Sequence, residues 1–305
     1  MACIARPATG AYVTRFAPSP TGPLHLGHAY SALLAHDMAR AQGGRFLLRI
    51  EDIDRTRCRP AYEAELLDDL NWLGIFWDAT PMRQSDRADA YQAALDDLWA
   101  RDYLFPCACS RRDIERALGA PQEGTGPDGP IYPGTCIGQY CGGLPCSMTA
   151  RPKDMHLRLD INMACGVPGH RIDHKDGGTY GLPFLETGPA HRGDVFTTSA
   201  EYTDHIGDVI IARRDFGTSY HLSVVLDDAA QGITHVVRGE DLFDATRIHV
   251  LLQRLLGLPT PIYHHHRLIR DDAGKRLAKR DDARALAKYR AEGATPDDIR
   301  RMVGL

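Results

Sequence analysis

The chain has 305 residues, 43% hydrophobic and 25% charged, with a formal net charge of −4. That length predicts about two domains with a substantial core, and the balance of charge gives no global basic signature of nucleic-acid binding, although local arginine clusters can act within such a protein. No apolar run approaches the roughly 20 residues that span a bilayer, which excludes a helical membrane protein, and the opening MACIARPATGAY lacks the apolar stretch of a signal peptide, so a cytoplasmic location is expected.

In chain order, Tyr12 to Phe16 predicts a short strand that ends in the Pro/Gly-rich loop from Ala17 to Leu26. A helix is expected from Gly27 to Ala41, with Leu33, Leu34 and Met38 on its apolar face and Gly43-Gly44 as its stop. Arg45 to Ile50 is a second strand, with Glu51-Asp52 at its carboxyl end. Amphipathic helices fit Tyr62 to Leu73 and Asp86 to Ala100, the latter with Ser85 as expected N-cap.

Between Cys107 and Gly193 glycine and proline become frequent and periodicity is lost, apart from short alternating pieces such as Met155 to Asp160, which suggests an insertion. Strand–helix alternation resumes with Asp208 to Ala212, a helix from Tyr220, a strand from Ile233 to Val237 and a helix from Ala245 to Leu256, and the tail from Ala283 to Leu305 reads as short and helical. The expected fold is α/β, a Rossmann-like doubly wound parallel sheet with an inserted subdomain and a short C-terminal helical segment. The boundaries are 12–104 and 195–256 for the two halves of the catalytic domain, 105–194 for the insertion and 257–305 for the final region.

Eight cysteines stand at 3, 58, 107, 109, 136, 141, 146 and 165, five of them between Cys107 and Cys146. In a cytosolic protein such a cluster predicts metal rather than disulfides. His264-His265-His266 is not expected to bind one, because adjacent residues of an extended segment point to opposite faces.

The densest chemistry lies in Arg15-Phe-Ala-Pro-Ser-Pro-Thr-Gly-Pro-Leu-His-Leu-Gly-His28. A loop there leaves the carboxyl end of a strand and enters a helix N-terminus, where backbone N–H groups and the helix dipole accept phosphate. His25 and His28 straddle the helix start as donors to phosphate oxygens, and Gly27 leaves room for an adenine ring.

This stretch closely resembles the signature of the glutamyl-tRNA synthetases, class I enzymes in which an H-x-G-H motif follows an R-F-A-P-S-P-T-G segment. The resemblance continues through Ile50-Glu-Asp-Ile-Asp-Arg55, Tyr220-His-Leu-Ser-Val-Val-Leu-Asp-Asp228, Gly232-Ile-Thr-His-Val-Val-Arg-Gly-Glu-Asp241 and Gly274-Lys-Arg-Leu-Ala-Lys-Arg280, so it covers most of the chain from Tyr12 onward. It implies ATP with Mg2+, and it makes His25, His28 and Lys279 catalytic, with Gly27 beside them in the ATP site. Lys279 would neutralise phosphate charge during adenylyl transfer, although Ala278 replaces the family's usual serine.

The resemblance places glutamate on Arg15, Phe16, Ala17, Pro18, Ser19, Glu51, Tyr220 and Arg238. Glu51 suits the α-ammonium, and Arg238 is expected to clamp the side-chain carboxylate through two N–H groups. Val224 stands where full-length relatives carry asparagine, which implies weaker glutamate binding.

It also implies one structural zinc on Cys107, Cys109, Tyr132 and Cys136, with Cys141 and Cys146 as rival ligands. The short tail, Val224 and the Cys/Cys/Tyr/Cys pattern resemble the glutamyl-Q tRNA(Asp) synthetases, which transfer activated glutamate to queuosine in the anticodon of tRNA(Asp). That resemblance implies this RNA as partner and a monomeric enzyme. A truncated synthetase charging tRNA(Glu) at its 3′ end, a catalytically silent RNA-binding module and an adenylyltransferase with a small-molecule acceptor remain the alternatives. Arg111-Arg112 and Arg213-Arg214 are candidate phosphate contacts or ordinary solvated pairs.

Overall fold

The computed structural model describes residues 11–118, 126–127, 129–141, 145–166, 181–270 and 284–305. β1 (Val13–Phe16) leads through the loop into α1 (Leu26–Ala41) and β2 (Arg45–Ile50), which pairs parallel to β1 with Arg15 opposite Leu47. α2 (Pro60–Trp72) starts on a proline, a residue suited to a helix's first turn, and β3 (Met82–Arg83) adds a short parallel edge to β2. α3 (Ala88–Ala100), β4 (Leu104–Cys107) and α4 (Arg111–Leu118) follow.

Further on come β5 (His156–Leu159), α5 (Ile161–Gly166), β6 (Leu182–Glu186), β7 (Gly193–Thr197) and a single turn, α6 (Ser199–Glu201), continued by a π-helical turn over Tyr202–Ile206. The chain then forms β8 (Ile210–Ala212), α7 (Tyr220–Gln231), β9 (His235–Gly239), α8 (Phe243–Leu255) and β10 (Ile262–His266), and closes with α9 (Leu286–Ala291) and α10 (Pro296–Val303).

Among the described residues three strand sets result: β1-β2-β3, β7-β6-β10-β9 and β4-β5-β8. The first two form neighbouring parts of one layer. The Thr234 N–H donates to Val13 O at 3.1 Å and the Val13 N–H to Thr234 Oγ1 at 2.8 Å, joining β1 to the start of β9. Within the layer β6, β10 and β9 are parallel, and β7 is an antiparallel edge. β6 and the first two residues of β7 fall inside residues 105–194 yet belong to this main sheet, whereas β8, expected in the parallel alternation, completes the small antiparallel sheet with β4 and β5.

Close packing explains the composition of α1. Ala29, Ala32, Leu33, Ala35 and Ala39 are all fully enclosed, so its inner face is built of small side chains that let the helix approach the sheet. Gly44 is required for a similar reason: an added Cβ would lie 2.1 Å from Tyr12 O, where the Arg45 N–H already donates at 2.7 Å. Leu286, Ile299 and Val303 of the tail helices share a core cluster with α1, and Arg300 pairs with Asp37 at 2.6 Å.

The expected cap Ser85 does not start α3. A 3-10 turn over Gln84–Arg87 precedes that helix, and both the Ser85 N–H and hydroxyl donate to the Asp52 carboxylate at 2.8 and 2.7 Å. Serine offered the right chemistry, but a carboxylate on the loop after β2 outcompeted the helix end.

Candidate active site

At the start of α1 the two histidines cap the helix reciprocally. His25 Nδ1 accepts the Gly27 N–H at 3.1 Å, and His28 Nδ1 accepts the His25 N–H at 3.2 Å, with the rings stacked 3.8 Å apart. An accepting Nδ1 puts the proton of a neutral ring on Nε2. Gly27 has a cause internal to the protein, because a Cβ there would meet the His25 ring at 3.0 Å. Lys279 and its flanking motif lie outside the described residues. Beyond that segment, Ala285 forms a bridge with His25, and the Leu286 N–H donates to Leu24 O at 2.8 Å.

The loop from Ala17 to Ser19 is fastened to the next strand, since Pro18 O accepts the Glu51 N–H at 3.0 Å. Beneath it Arg15, at the end of β1, donates to Asp228 at 3.0 Å and to Val237 O at 3.2 Å. Phe16 fills the core below. Arg49, wholly buried, donates to the same Asp228 at 2.6 Å, to Glu51 at 3.1 Å and to Gln231 at 3.1 Å.

These neighbours shift the two carboxyls in opposite directions. Burial raises the pKa of Asp228, but Arg15 and Arg49 outweigh it and hold the group below the usual carboxylate range. Glu51 stays above that range: burial pushes it up, Arg49 and Arg15 pull it down only in part, and the charge on Asp228 pushes it up again. Glu51 is therefore the carboxyl whose burial is less fully offset by neighbouring cations. Burial raises the Tyr220 phenol, which also feels Arg238, Glu51, Arg15 and Asp228; the expected amino-acid residues share one electrostatic neighbourhood.

Arg238 does not have two N–H groups free for a clamp. Its Nε donates to His265 Nε2 at 3.1 Å, Nη1 to His249 Nδ1 at 3.1 Å, and Nη2 to Thr246 Oγ1 at 2.6 Å and Leu242 O at 3.3 Å. Of five guanidinium N–H groups, four are engaged, which leaves one on Nη1. Arg49, Asp228, Thr246, His249 and His265 were all missed by sequence reasoning. The one visible signal was the spacing of Thr246 and His249, three apart on one helix face. Val224 is buried among apolar side chains of the core.

The cysteines form a second constellation. The Sγ atoms of Cys107, Cys109 and Cys136 lie within 4.8 Å of one another. Tyr132 Oη is 3.5 Å from both Cys107 Sγ and Cys109 Sγ and accepts the Cys136 N–H at 2.8 Å. Sulfurs around a tetrahedral zinc stand about 3.8 Å apart, so this donor set fits such an ion. Arg158 lies 3.8 Å over the Tyr132 ring and donates to Cys107 Sγ at 3.3 Å, a fixed cation beside ligands that would be anionic. Cys141 and Cys146 are joined as a disulfide, where metal rather than disulfides was expected of the cluster. As expected, the three adjacent histidines diverge: His264 bonds Thr187, His265 bonds Glu186, and His266 packs edge-on to Tyr30.

A cavity of about 400 Å³ opens nearby, lined by Pro20, Asp52, Arg55, Arg59, Arg83 and Ser85 among others, and none of Arg15, Glu51, Tyr220 or Arg238 lines it. Arg111, Arg112, Arg213 and Arg214 are exposed.

Residues 11–138 and 187–305 match the family described as tRNA synthetases class I (E and Q), catalytic domain. A glutamyl-Q tRNA(Asp) synthetase of Rhodobacter capsulatus is 63% identical over 295 residues, covering 96% of this chain and 100% of the relative. The chain belongs to the class I tRNA synthetases, in the glutamyl-Q tRNA(Asp) synthetase group. A second member, from Geobacter sulfurreducens, is 42% identical over 91% of this chain and 78% of its own. The structure of a glutamate tRNA ligase from Elizabethkingia meningosepticum superposes on this synthetase with a TM-score of 0.70 at 25% identity, over 97% of this chain. The chain spans 61% of that ligase's length. This synthetase is thus a ligase by family, with the α/β fold of its relatives. No described helix is long and apolar enough to cross a membrane.

Asp228→Asn is expected to destabilise the fold by about 3–5 kcal/mol near neutral pH, the cost of leaving buried cations without their partner. The folded state holds this carboxyl below its unfolded value, so its contribution is present above about pH 4 and is lost as pH falls through the folded pKa. The variant's stability should therefore decline less steeply in acid. Urea unfolding across that range tests this, and parallel pH profiles for the two proteins would contradict it.

Proposed function

We propose that this synthetase uses ATP to activate L-glutamate as glutamyl-adenylate and passes the glutamyl group to queuosine in the anticodon of tRNA(Asp), working as a monomer in the cytoplasm. The observation that carries the amino-acid half is the gathering of Glu51, Arg15, Tyr220 and Arg238 in one charged neighbourhood. Glutamate has one ammonium and two carboxylates, and this set offers one under-compensated carboxylate with more than one guanidinium. The acceptor half rests on the 63% identity to a relative whose name states it.

In this reading Glu51 binds the α-ammonium, and the segment from Phe16 through Ala17 and Pro18 to Ser19 flanks the α-carboxylate. Arg238 attracts the side-chain carboxylate mainly by charge, with Arg15 and Tyr220 completing the pocket. His25 and His28, the first turn of α1 beside Gly27, and Lys279 face the phosphates of ATP, which brings its Mg2+. A glutamate carboxylate oxygen attacks the α-phosphorus and pyrophosphate leaves; positioned cations and N–H groups stabilise the charge that develops. An acceptor hydroxyl then attacks the carbonyl and AMP departs.

Residues 12–104 and 195–256 carry this chemistry, 257–305 supplies the Lys279 loop, and 105–194 contacts the acceptor through a lobe held by structural zinc on Cys107, Cys109, Tyr132 and Cys136.

Labelled glutamate and ATP are to be offered to purified tRNA(Asp) with and without queuosine. Label is expected only on the queuosine-bearing RNA; label at the 3′ end of tRNA(Glu) would reject the acceptor, and absence of glutamate-dependent ATP–pyrophosphate exchange would reject the substrate. Elemental analysis tests the lobe: one zinc per chain is expected in the wild type and in Cys141→Ser, with the metal lost from Cys109→Ser. Zinc lost equally from both variants would overturn the ligand set.

A further inference from the structure

Arg238 sits at the centre of a buried chain of hydrogen bonds that the reaction itself does not use. Guanidinium groups only donate, so every ring nitrogen facing one must be a lone pair. His265 Nε2 receives the Arg238 Nε–H, so its proton lies on Nδ1, 2.5 Å from Glu186. Glu186 is fixed in turn by the N–H groups of His265 and Gly188. His249 Nδ1 faces Nη1, so its proton lies on Nε2, directed at His221 Nδ1 at 3.1 Å. Thr246 fills the remaining side.

We propose that His249 and His265 are positioning residues that lock Arg238 in one orientation, in which it gives the substrate side chain a full positive charge but a single N–H. This rests on the glutamate-binding reading above and deepens it. A bidentate arginine would reject glutamine by leaving a donor unpaired; a single N–H is satisfied by an amide oxygen as well as by a carboxylate. Discrimination at Arg238 therefore comes from charge in a buried site, and it requires that neither histidine become cationic. Protonating either ring would set N–H against N–H at Arg238.

The surroundings keep both rings neutral. His249 lies well below the ordinary histidine value through burial and then the charge of Arg238, with His221, Arg15 and His265 acting the same way. His265 is lowered by burial, with Glu186 opposing and Arg238 and His191 adding to the shift.

Glutamate-dependent ATP–pyrophosphate exchange tests the proposal. His249→Ala is expected to raise KM for glutamate about tenfold or more while kcat changes far less, since one hydrogen bond to a charged group is lost. His249→Asn, whose carbonyl replaces Nδ1 as acceptor, should recover most of the loss. In the wild type KM should rise in acid as the rings protonate, and His249→Asn should show a weaker rise.

Equal KM in His249→Ala and wild type, or His249→Asn no better than His249→Ala, would overturn the proposal. Should His249→Ala fail to fold, the pH profile of His249→Asn decides alone, a slope unchanged from wild type counting against the idea. Nitrogen-15 spectra of labelled histidines give a readout independent of substrate: Nε2–H for His249 and Nδ1–H for His265 are required, and the opposite tautomers would refute it. Wild type without glutamate-dependent exchange would sink the substrate reading, and the spectra would still test the tautomers.

Discussion

Arg49 is the residue on which the arrangement of the site depends. It is wholly buried in β2, and its partners come from far along the chain: Asp228 and Gln231 on α7, with Glu51 two residues away. Asp228 is shared with Arg15, so one carboxylate ties β1 and β2 to α7. Its neighbour Asp227 extends the connection, accepting from Tyr91 at 2.9 Å, Gln84 at 2.9 Å and Arg87 at 3.1 Å. A slip of one residue in α7 would leave one of these two positions without its aspartate and its cations short of a partner. Such a network is weak evidence for stability, because desolvation offsets much of the attraction. What it supplies is register, holding residues from both halves of the chain in one geometry.

That geometry leaves a deliberate imbalance. Asp228 is held below the ordinary carboxylate range by Arg15 and Arg49, whereas Glu51 stays above it, chiefly through burial, although both face Arg49. In the proposed reading, a ligand ammonium beside Glu51 would favour its ionised form without reorganising the groups around it. The same logic applies in the cysteine lobe, where Arg158 stands over Tyr132 and against Cys107 before any metal is considered.

Much of this was legible in the sequence where the information is local. β2 runs from Arg45 to Ile50 as the pattern predicts, α1 begins one residue earlier than expected, and the helix-capping histidines stand at the N-cap and in the first turn of α1. Strand ends expose their side chains to a cleft, so Arg15, Glu51 and Arg238 stood out as charged residues there. Arg49 did not, because inside RFLLRI it reads as the polar member of an alternating strand, and its partner Asp228 is 179 residues away. Ser85 misled for a related reason: a local rule assigned it to a helix start, and Asp52, thirty-three residues away, claimed it. The assignment of β8 failed likewise, since three apolar residues cannot announce which of two sheets they will join.

Histidine does the same physical task at both ends of the cleft. An imidazole accepts at one nitrogen and donates at the other across a rigid ring, so fixing one partner dictates what the far side can do. At the start of α1 the fixed partners are backbone N–H groups, which place the proton of a neutral His25 or His28 ring on Nε2. Around Arg238 the fixed partner is a guanidinium, and the far sides of His265 and His249 become donors absorbed by Glu186 and His221. Asparagine could fill the acceptor role but could not pass a hydrogen bond straight through to a second element. The run His264-His265-His266 therefore makes sense on a strand rather than as a metal motif: alternation puts the middle ring on the face opposite its neighbours, where its two nitrogens span the distance from β6 to β9.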